Sequence, residues 1–285
     1  MTARAEPARL SLVLFALAVL GALIGAYIGF VHITTDPLAD VHAYYEAGSR
    51  LNAGQPLYEQ SASTAGSHYY FYPPLLAVAF RPLALLPFEA AAAIWQGVVI
   101  ASFIGTLWLI GIRNRWLWLA FGWLAAPLAW SVVIGQAHVP VLFLLTVGSP
   151  FSLALAGHLK IFPALAAVFW LGRRDWSRLG RFIAWTVGLA IVSFVLEPSG
   201  TIAFLGFPDL ALVGEVTNLS PYAISPVLWA ILAVGLGLVA LVLAPTRFGW
   251  LAAVAWSVLV SPRLFLYQLS SLLAALRQPA GARDN

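Results

Sequence analysis

Long apolar runs, separated by short polar segments, occupy most of this chain. A run of about 20 apolar residues is long enough to cross a bilayer as a helix. The predicted spans are residues 10–31, 88–112, 116–134, 139–171 (interrupted by Lys160 and Pro163), 181–197, 227–244 and 248–276. The pattern predicts an all-α polytopic membrane protein, with one transmembrane domain over residues 1–285.

Two apolar segments are too short to be assigned from length alone. Residues 73–86 contain Arg81, and residues 139–147 precede the interrupted run. Arg4 and Arg9 precede the first span and further arginines cluster in residues 173–181, which predicts that the N-terminus and this cluster are both cytoplasmic. An even number of crossings must separate them. Four crossings result if both short segments are re-entrant and six if both cross, and the sequence leaves both open.

Residues 32–72 interrupt this pattern with a polar segment predicted to be a large extracytoplasmic loop. It holds three of the five histidines, six of the nine tyrosines and four of the eleven acidic residues. Helical spacing within it predicts a juxtamembrane amphipathic helix, with Asp40 at the N-cap and an apolar face formed by Val41, Tyr44, Tyr45, Gly48 and Leu51. So much titratable and aromatic material suggests the catalytic loop of a membrane enzyme.

Composition supports the membrane assignment and narrows the chemistry. The 285 residues are 61% hydrophobic and 9% charged, which excludes a soluble domain of this size. The absence of cysteine excludes disulfides and thiolate metal sites. The net charge of +4 comes from arginine clusters between apolar runs, so no nucleic-acid partner is expected. No residue spacing requires a metal ion or a cofactor.

Lys160 is the most informative single charge. A lysine inside an apolar run costs about 2.5–3.5 kcal/mol on insertion scales, so it usually faces a cavity or a charged partner. Either it extends to the membrane surface, or it binds an anion such as a lipid phosphate. His158 lies beside it, and Arg263 in the last apolar run poses the same question.

Other polar residues have structural and functional interpretations of similar weight. Asp40 either only caps its helix or acts on a ligand. Tyr72 precedes Pro73-Pro74, a sequence typical of a helix start. Gln136 and His138 lie between two apolar runs, where they either bind a hydroxylated ligand or satisfy a helix end.

Five motifs occur in an order that resembles a known family. They are Asp40-Val41-His42-Ala43-Tyr44-Tyr45, Tyr70-Phe71-Tyr72-Pro73-Pro74, Gly135-Gln136, Gly157-His158-Leu159-Lys160-Ile161-Phe162-Pro163 and Ser261-Pro262. In this order the chain resembles the bacterial polyprenol-phosphate-mannose-dependent α-mannosyltransferases, glycosyltransferase family 87. The resemblance covers residues 10–270 and implies a GT-C-type transmembrane helix bundle.

The resemblance also implies a reaction. A sugar, expected to be mannose, would move from a polyprenyl-phosphate donor to a glycolipid or glycan acceptor at the extracytoplasmic face of the plasma membrane, among membrane lipids and with inversion at the anomeric carbon. The implied general base is Asp40, with Asp36 in reserve. The expected contacts of the donor phosphate are Lys160, Arg263 and His158. The expected contacts of the substrates are His42, Tyr44, Tyr45, Tyr72, Gln136 and His138.

Two departures from the family keep other functions open. Tyr267 and Gln268 stand where family members tend to carry histidines, so a histidine role near the donor phosphate is either lost or taken over by Arg263. The chain also ends soon after Ser261-Pro262, which suggests a non-catalytic, truncated relative as one alternative. A transporter or lipid flippase, whose external loop gates access, is the other.

Overall fold

The computed structural model describes residues 8–58, 70–111, 115–124, 126–206 and 218–279. In these ranges the regular structure is helical throughout. The α-helices are α1 (Ala8–Thr35), α2 (Ala39–Asn52), α3 (Pro74–Phe80), α4 (Phe88–Ile110), α5 (Arg115–Leu124), α6 (Ala126–Val133), α7 (His138–Val147), α8 (Pro150–Leu159), α9 (Val168–Gly172), α10 (Trp176–Leu196), α11 (Pro198–Leu205), α12 (Pro226–Leu243) and α13 (Gly249–Leu259). Four 3₁₀-helices accompany them: Leu83–Leu85, Phe162–Ala167, Pro221–Ala223 and Leu266–Leu276.

Four described helices are long and apolar enough to cross a membrane. They span Leu12–Thr35, Phe88–Ile110, Trp176–Leu196 and Pro226–Leu243. Many of their large apolar side chains point outward, as expected for helices in lipid rather than in water. The predicted class, an all-α polytopic membrane protein, is confirmed. The GT-C-type arrangement of the bundle stays a prediction.

The remaining predicted spans are divided into shorter helices. Residues 116–134 lie in α5 and α6, and residues 139–171 form α7, α8, the 3₁₀-helix Phe162–Ala167 and most of α9. Helix α3 has seven residues and is too short to cross a bilayer on its own. The predicted external loop is described at residues 32–58 and 70–72, and residues 59–69 lie outside the described part.

Local sequence explains where α8 begins and ends. Ser149 and Ser152 form a reciprocal capping box at its start, and Pro150 occupies its first turn. Four residues after its last residue, Leu159, stands Pro163, whose ring would collide with the Leu159 carbonyl if the helix continued. Lys160 is therefore extended, with φ −148° and ψ 130°, at the point where the chain leaves the helix.

Helix α2 buries most of the face that the sequence predicts, but Tyr45 is only half-buried and the cap differs. Val41, Tyr44, Gly48 and Leu51 are buried. The N-cap residue is Leu38, in a left-handed conformation and without a side-chain cap, so the prediction that Asp40 caps the helix is wrong. Asp40 is the second residue of the helix, and its carboxylate does not cap the helix.

Aromatic packing joins α2 to α3 and α4. The ring of Tyr44 meets Phe80 and Trp95 edge-on, with centroids 5.3 and 5.8 Å away, and Phe80 meets Trp95 at 4.8 Å. Gly48 lets α2 approach the end of α3 closely, because a Cβ there would lie 2.7 Å from the Phe80 carbonyl oxygen. The position of α2, and of Asp40 on it, depends on this contact.

Replacing Gly48 with alanine should therefore destabilise the protein. The new methyl group overpacks a backbone contact, which costs about 1–3 kcal/mol. We expect a lower thermal midpoint in detergent, measured by circular dichroism. Gly97→Ala on α4 is the matched control, because a Cβ there meets nothing within 4 Å. Equal midpoints for the two variants would contradict the close approach of α2 and α3.

Candidate active site

The Asp40 carboxylate is the centre of a hydrogen-bonded cluster built from separate parts of the chain. The hydroxyls of Tyr72 and Tyr44 lie 3.1 and 3.3 Å from its Oδ1. The Gln136 amide donates from Nε2 to Oδ2 over 3.2 Å. Tyr44 is one helical turn after Asp40, whereas Tyr72 precedes α3 and Gln136 lies between α6 and α7. Both carboxylate oxygens are therefore oriented by neighbours.

The turn between α6 and α7 is shaped to present Gln136. Gly135 has φ +71°, a left-handed conformation that favours glycine, and its carbonyl accepts a 2.7 Å hydrogen bond from the Trp95 indole. A Cβ on Gly135 would lie 2.1 Å from a methyl group of Val41. Two residues after Gly135, the backbone N–H of Ala137 donates a hydrogen bond to the Tyr44 hydroxyl. This turn thus fits closely against α2 and α4.

Tyr72 is held by the aromatic segment that leads into α3. The Tyr70 hydroxyl donates to the Pro73 carbonyl and accepts from the Ala77 N–H, at 2.7 and 2.9 Å. The Tyr58 hydroxyl donates to the Tyr72 carbonyl at 2.7 Å. Tyrosine suits these positions because the ring packs in the core and the hydroxyl satisfies backbone groups that a proline-rich turn leaves unpaired. The result is a fixed direction for the Tyr72 ring.

Lys160 reaches the same cluster from the end of α8. It is 7% exposed, and its ammonium lies 5.3 Å from the centroid of the Tyr72 ring and 4.9 Å from that of Tyr267. Such cation–π contacts stabilise a partly desolvated ammonium by roughly 0.5–2 kcal/mol. Among the described residues, Lys160 forms no ion pair within 4.0 Å. Its three N–H donors therefore remain available to an anion.

Tyr267 links the cation to the carboxylate. Its hydroxyl accepts a 3.2 Å hydrogen bond from Gln136 Nε2, and its ring lies beneath Lys160. The ring also stacks on Phe265 and meets Trp130 edge-on. The sequence identified Tyr267 only as a departure from the family, and no local pattern marked it as part of the site.

Burial changes the acidity of Asp40. Removal of the carboxylate from water raises its pKa from 3.8 to about 6, and the nearby Asp36 adds to this rise. The positive charge of Lys160 and the hydrogen bonds from Tyr72 and Tyr44 act in the opposite direction but do not cancel it. Asp40 is therefore ionised at neutral pH, with a proton affinity well suited to a general base.

Arg263 lies beside this cluster. Its guanidinium stands 4.5 Å from the ring centroid of Phe71 and 5.1 Å from that of Phe265. Its carbonyl accepts from the Ser261 hydroxyl, and the Asn218 side chain bonds to the flanking Pro262 and Leu264 backbone. The like charges of Arg263 and Lys160 lie close enough to repel each other, which indicates that both face one region.

Two more predicted residues are buried in the cluster or against it. Tyr44 and His138 are 0% exposed. The His138 Nε2 lies 3.0 Å from the Ser270 hydroxyl, and its ring meets Tyr267 edge-on at 5.3 Å. Buried side chains of this kind are better placed to support a site than to touch a substrate.

The structure keeps four other predicted residues outside the cluster. Asp36 accepts from the ring of His32 at 2.7 Å and from the Thr35 hydroxyl, although its charge is still felt at Asp40. The remaining three make different contacts: the His42 ring stacks on Phe88, the Tyr45 hydroxyl donates to the Leu86 carbonyl, and His158 Nε2 bonds to the Thr186 carbonyl of α10. None of these contacts leads to Lys160 or Asp40.

Within the described ranges, no three His, Asp or Glu side chains are grouped closely enough to hold a metal ion. The cluster instead combines one carboxylate, three phenols, one amide and two cations. Such a set can accept a proton from an alcohol and bind an anionic oxygen, without further ligands.

Comparison with known proteins assigns the family. The sequence pattern that defines glycosyltransferase family 87 matches residues 70–279, well over half of the chain. The chain belongs to glycosyltransferase family 87. The matched region includes Tyr72, Gln136, Lys160, Arg263 and Tyr267, while Asp40 precedes it.

Three curated relatives agree with this family 87 assignment. Two are named polyprenol-phosphate-mannose-dependent alpha-(1-2)-phosphatidylinositol pentamannoside mannosyltransferases: one from Mycolicibacterium smegmatis, 29% identical over 48% of this chain, and one from Mycobacterium tuberculosis, 27% identical over 71%. A third, from M. smegmatis, is named a phosphatidylinositol mannoside mannosyltransferase of the same donor class and is 28% identical over 58% of the chain. The matches cover 38%, 51% and 45% of these relatives, so the chain spans about half of their length or less. No solved structure matches the chain.

Replacing Gly135 with alanine should disturb this family 87 site. The left-handed conformation costs an L-residue about 1–2 kcal/mol, and overpacking against Val41 adds about 1–3 kcal/mol. We expect a thermal midpoint several degrees lower, measured by circular dichroism. In a Val41→Ala background the steric part should disappear and only the backbone strain remain. An equal loss in both backgrounds would contradict the contact between Gly135 and Val41.

Proposed function

We propose that this chain transfers mannose from a polyprenyl-phosphate donor to a glycolipid acceptor. The observation that carries the proposal is the convergence of Asp40 and Lys160 on the ring of Tyr72, which brings a general base and a buried cation to one site. Membership of family 87 and the names of the three relatives support polyprenyl-phosphate-mannose as the donor. Their names also support a phosphatidylinositol mannoside as the class of acceptor.

Asp40 is the proposed base. A carboxylate with a pKa of about 6 is ionised at neutral pH and still accepts a proton more readily than an ordinary aspartate. It is partly exposed, whereas Tyr44 and Gln136 behind it are buried. An acceptor hydroxyl would therefore approach from the open side of the carboxylate.

Lys160 and Arg263 are the proposed contacts of the donor phosphate. The leaving group gains negative charge as the sugar departs, and fixed cations stabilise that charge most where water is excluded. Lys160 rests on two aromatic rings and Arg263 lies between two others, so aromatic contacts help to hold both cations in place.

The proposed reaction is a single displacement. The acceptor oxygen attacks the anomeric carbon, Asp40 takes the hydroxyl proton, and the bond from that carbon to the phosphate oxygen breaks with its electrons remaining on the phosphate. The products are the mannosylated acceptor and polyprenyl phosphate. Attack on the face opposite the leaving group inverts the anomeric centre.

The proposed site faces the extracytoplasmic side of the plasma membrane, with α2 lying along the surface. An open apolar groove of about 320 Å³ between α9, α12 and α13 is the proposed binding surface for part of the isoprenoid tail. Its lining residues are Val168, Leu171, Ala233, Val234, Gly237, Leu238, Leu241 and Trp256. The groove begins in α9, which follows Lys160 in the chain after one 3₁₀-helix.

Asp40→Asn should abolish transfer without disturbing insertion. Asparagine keeps the shape but cannot accept the proton, and loss of a general base lowers rates about 100- to 10,000-fold. Purified protein is incubated with polyprenyl-phosphate-[¹⁴C]mannose and phosphatidylinositol mannosides. Release of polyprenyl phosphate and labelling of the acceptor are measured. A protein that only moves the lipid would release no polyprenyl phosphate, either as the native chain or as the Asp40→Asn variant.

Asp36→Asn is the matched control for this measurement. Asp36 is paired with His32 and Thr35, so its loss should lower the rate less than about 10-fold. Asp40→Asn should also be at least as stable to heat as the native chain, because burial disfavours the charged carboxylate. Full transfer by Asp40→Asn would overturn the assignment of the base.

The rate should depend on pH through Asp40. The carboxylate must be ionised to act, and burial raises its pKa to about 6, so kcat/KM should fall as the pH drops below this value and level off above it. An exposed aspartate would place the same fall near pH 4. The pH profile of initial rates in detergent distinguishes the two. A flat profile between pH 5 and 7 would contradict the buried base.

A further inference from the structure

The side-chain amide of Gln136 has all of its hydrogen bonds within the protein. Its Oε1 lies 2.8 Å from the Tyr72 hydroxyl and 3.0 Å from the Tyr44 hydroxyl. Its Nε2 donates to Asp40 Oδ2 and to the Tyr267 hydroxyl, both at 3.2 Å. The side chain is 2% exposed. Gln136 therefore has no polar atom left for a substrate.

Charge determines the orientation of this amide. The reversed orientation would set the amide oxygen against an ionised Asp40 oxygen, with two acceptors facing each other. The observed orientation presents a donor to Asp40 and an acceptor to the two tyrosines, which satisfies every group. Ionisation of Asp40 and the direction of the amide thus depend on each other.

The number of hydroxyl protons is limited. Tyr44 and Tyr72 each carry one, because burial raises the pKa of both phenols well above the usual 10. Each hydroxyl has Gln136 Oε1 and Asp40 Oδ1 within reach, and the amide oxygen is closer by 0.3 Å in both cases. The two hydroxyls also interact with each other, but a neutral phenol is a weaker acceptor than the amide or the carboxylate. A proton donated to Gln136 is not donated to Asp40.

We propose that Gln136 is a positioning residue that holds the two tyrosine protons away from Asp40, so that Oδ1 keeps a lone pair for the acceptor hydroxyl. The proposal rests on the proposed function only in naming what Oδ1 receives. The arrangement of protons belongs to the unliganded chain. It also explains why a buried amide stands between two phenols and a carboxylate that could otherwise bond directly.

Several other charged or titratable groups face Asp40. Asp36 approaches from the end of α1, Lys160 from the end of α8, and Tyr267 from the 3₁₀-helix Leu266–Leu276. Substitution of Gln136 leaves these groups in place. Its effect on Asp40 then arises from the two phenols and the lost amide donor.

The test replaces Gln136 with methionine, which has a similar shape but no amide. Asp40 Oδ1 is then the strongest acceptor left to both hydroxyls, because it is charged whereas the neighbouring phenol is neutral, and two gained hydrogen bonds outweigh one lost. Hydrogen bonds to the charged form lower a carboxyl pKa, so the midpoint of Asp40 should move down by about one pH unit. In a Tyr72→Phe background, Gln136→Met gives Asp40 one hydrogen bond, from Tyr44, and removes one, from the Gln136 amide. The Asp40 midpoint should then move by less than half as much.

The measurement is an infrared pH titration of the Asp40 carboxyl C=O band in detergent, with Asp40→Asn subtracted. It needs no substrate, so its result is independent of the transfer assay. If transfer fails while the titration behaves as expected, the proposed function fails and the positioning role of Gln136 survives. If transfer occurs but Gln136→Met moves the Asp40 midpoint equally in the native chain and in the Tyr72→Phe background, only the positioning role fails.

Gln96→Met is the matched control for this titration. Gln96 is a partly buried glutamine of α4 whose Nε2 donates to the Val132 carbonyl, and it makes no contact with Asp40. Its substitution should leave the Asp40 midpoint unchanged. An upward or absent shift in Gln136→Met, or the same shift in Gln96→Met, would overturn the proposal.

Discussion

The cost of taking one carboxylate partly out of water organises this structure. A buried charge persists only where donors replace its hydration. For Asp40 the donor is the Gln136 amide in the turn between α6 and α7, and the hydroxyls of Tyr44 on α2 and Tyr72 before α3 donate to that amide in turn. Each donor needs its own support: Tyr70 and Tyr58 fix the segment of Tyr72, and Gly135 fixes the turn of Gln136. The packing of α2, α3 and α4 can be understood as the frame that keeps these donors in reach.

The same frame keeps opposite charges close but unpaired. Lys160 contacts the rings of the tyrosines whose hydroxyls reach Asp40 and Gln136, and it forms no direct ion pair in the part of the chain described. A direct pair would hold both charges in their ground state and lower the basicity of the carboxylate. Aromatic rings between them leave the carboxylate able to accept a proton and the ammonium able to bind an anion. This separation is what the proposed transfer requires.

Parts of the site were accessible from the sequence and parts were not. A lysine in an apolar run and a polar loop rich in tyrosine are local signals, and Asp40, Tyr72, Gln136 and Lys160 do converge. The same signals also selected His42, Tyr45 and His158, which bond elsewhere. Tyr267 carried no signal of its own, because its importance comes from a partner more than 100 residues away. Residue type alone could not show that the Gln136 amide is saturated by the protein.

The sequence by itself determined the helical class, the membrane environment and some of the helix ends. These follow from run length, from prolines such as Pro163 and from caps such as Ser149, all of which act within a few residues. Only the tertiary structure decided which side chains meet. The division of the predicted spans into shorter helices, the use of Asp40 away from its helix cap and the junction at Tyr267 depend on contacts between distant segments. Hydrophobic burial is non-directional, so it selects the bundle, whereas close packing and hydrogen-bond geometry select the site.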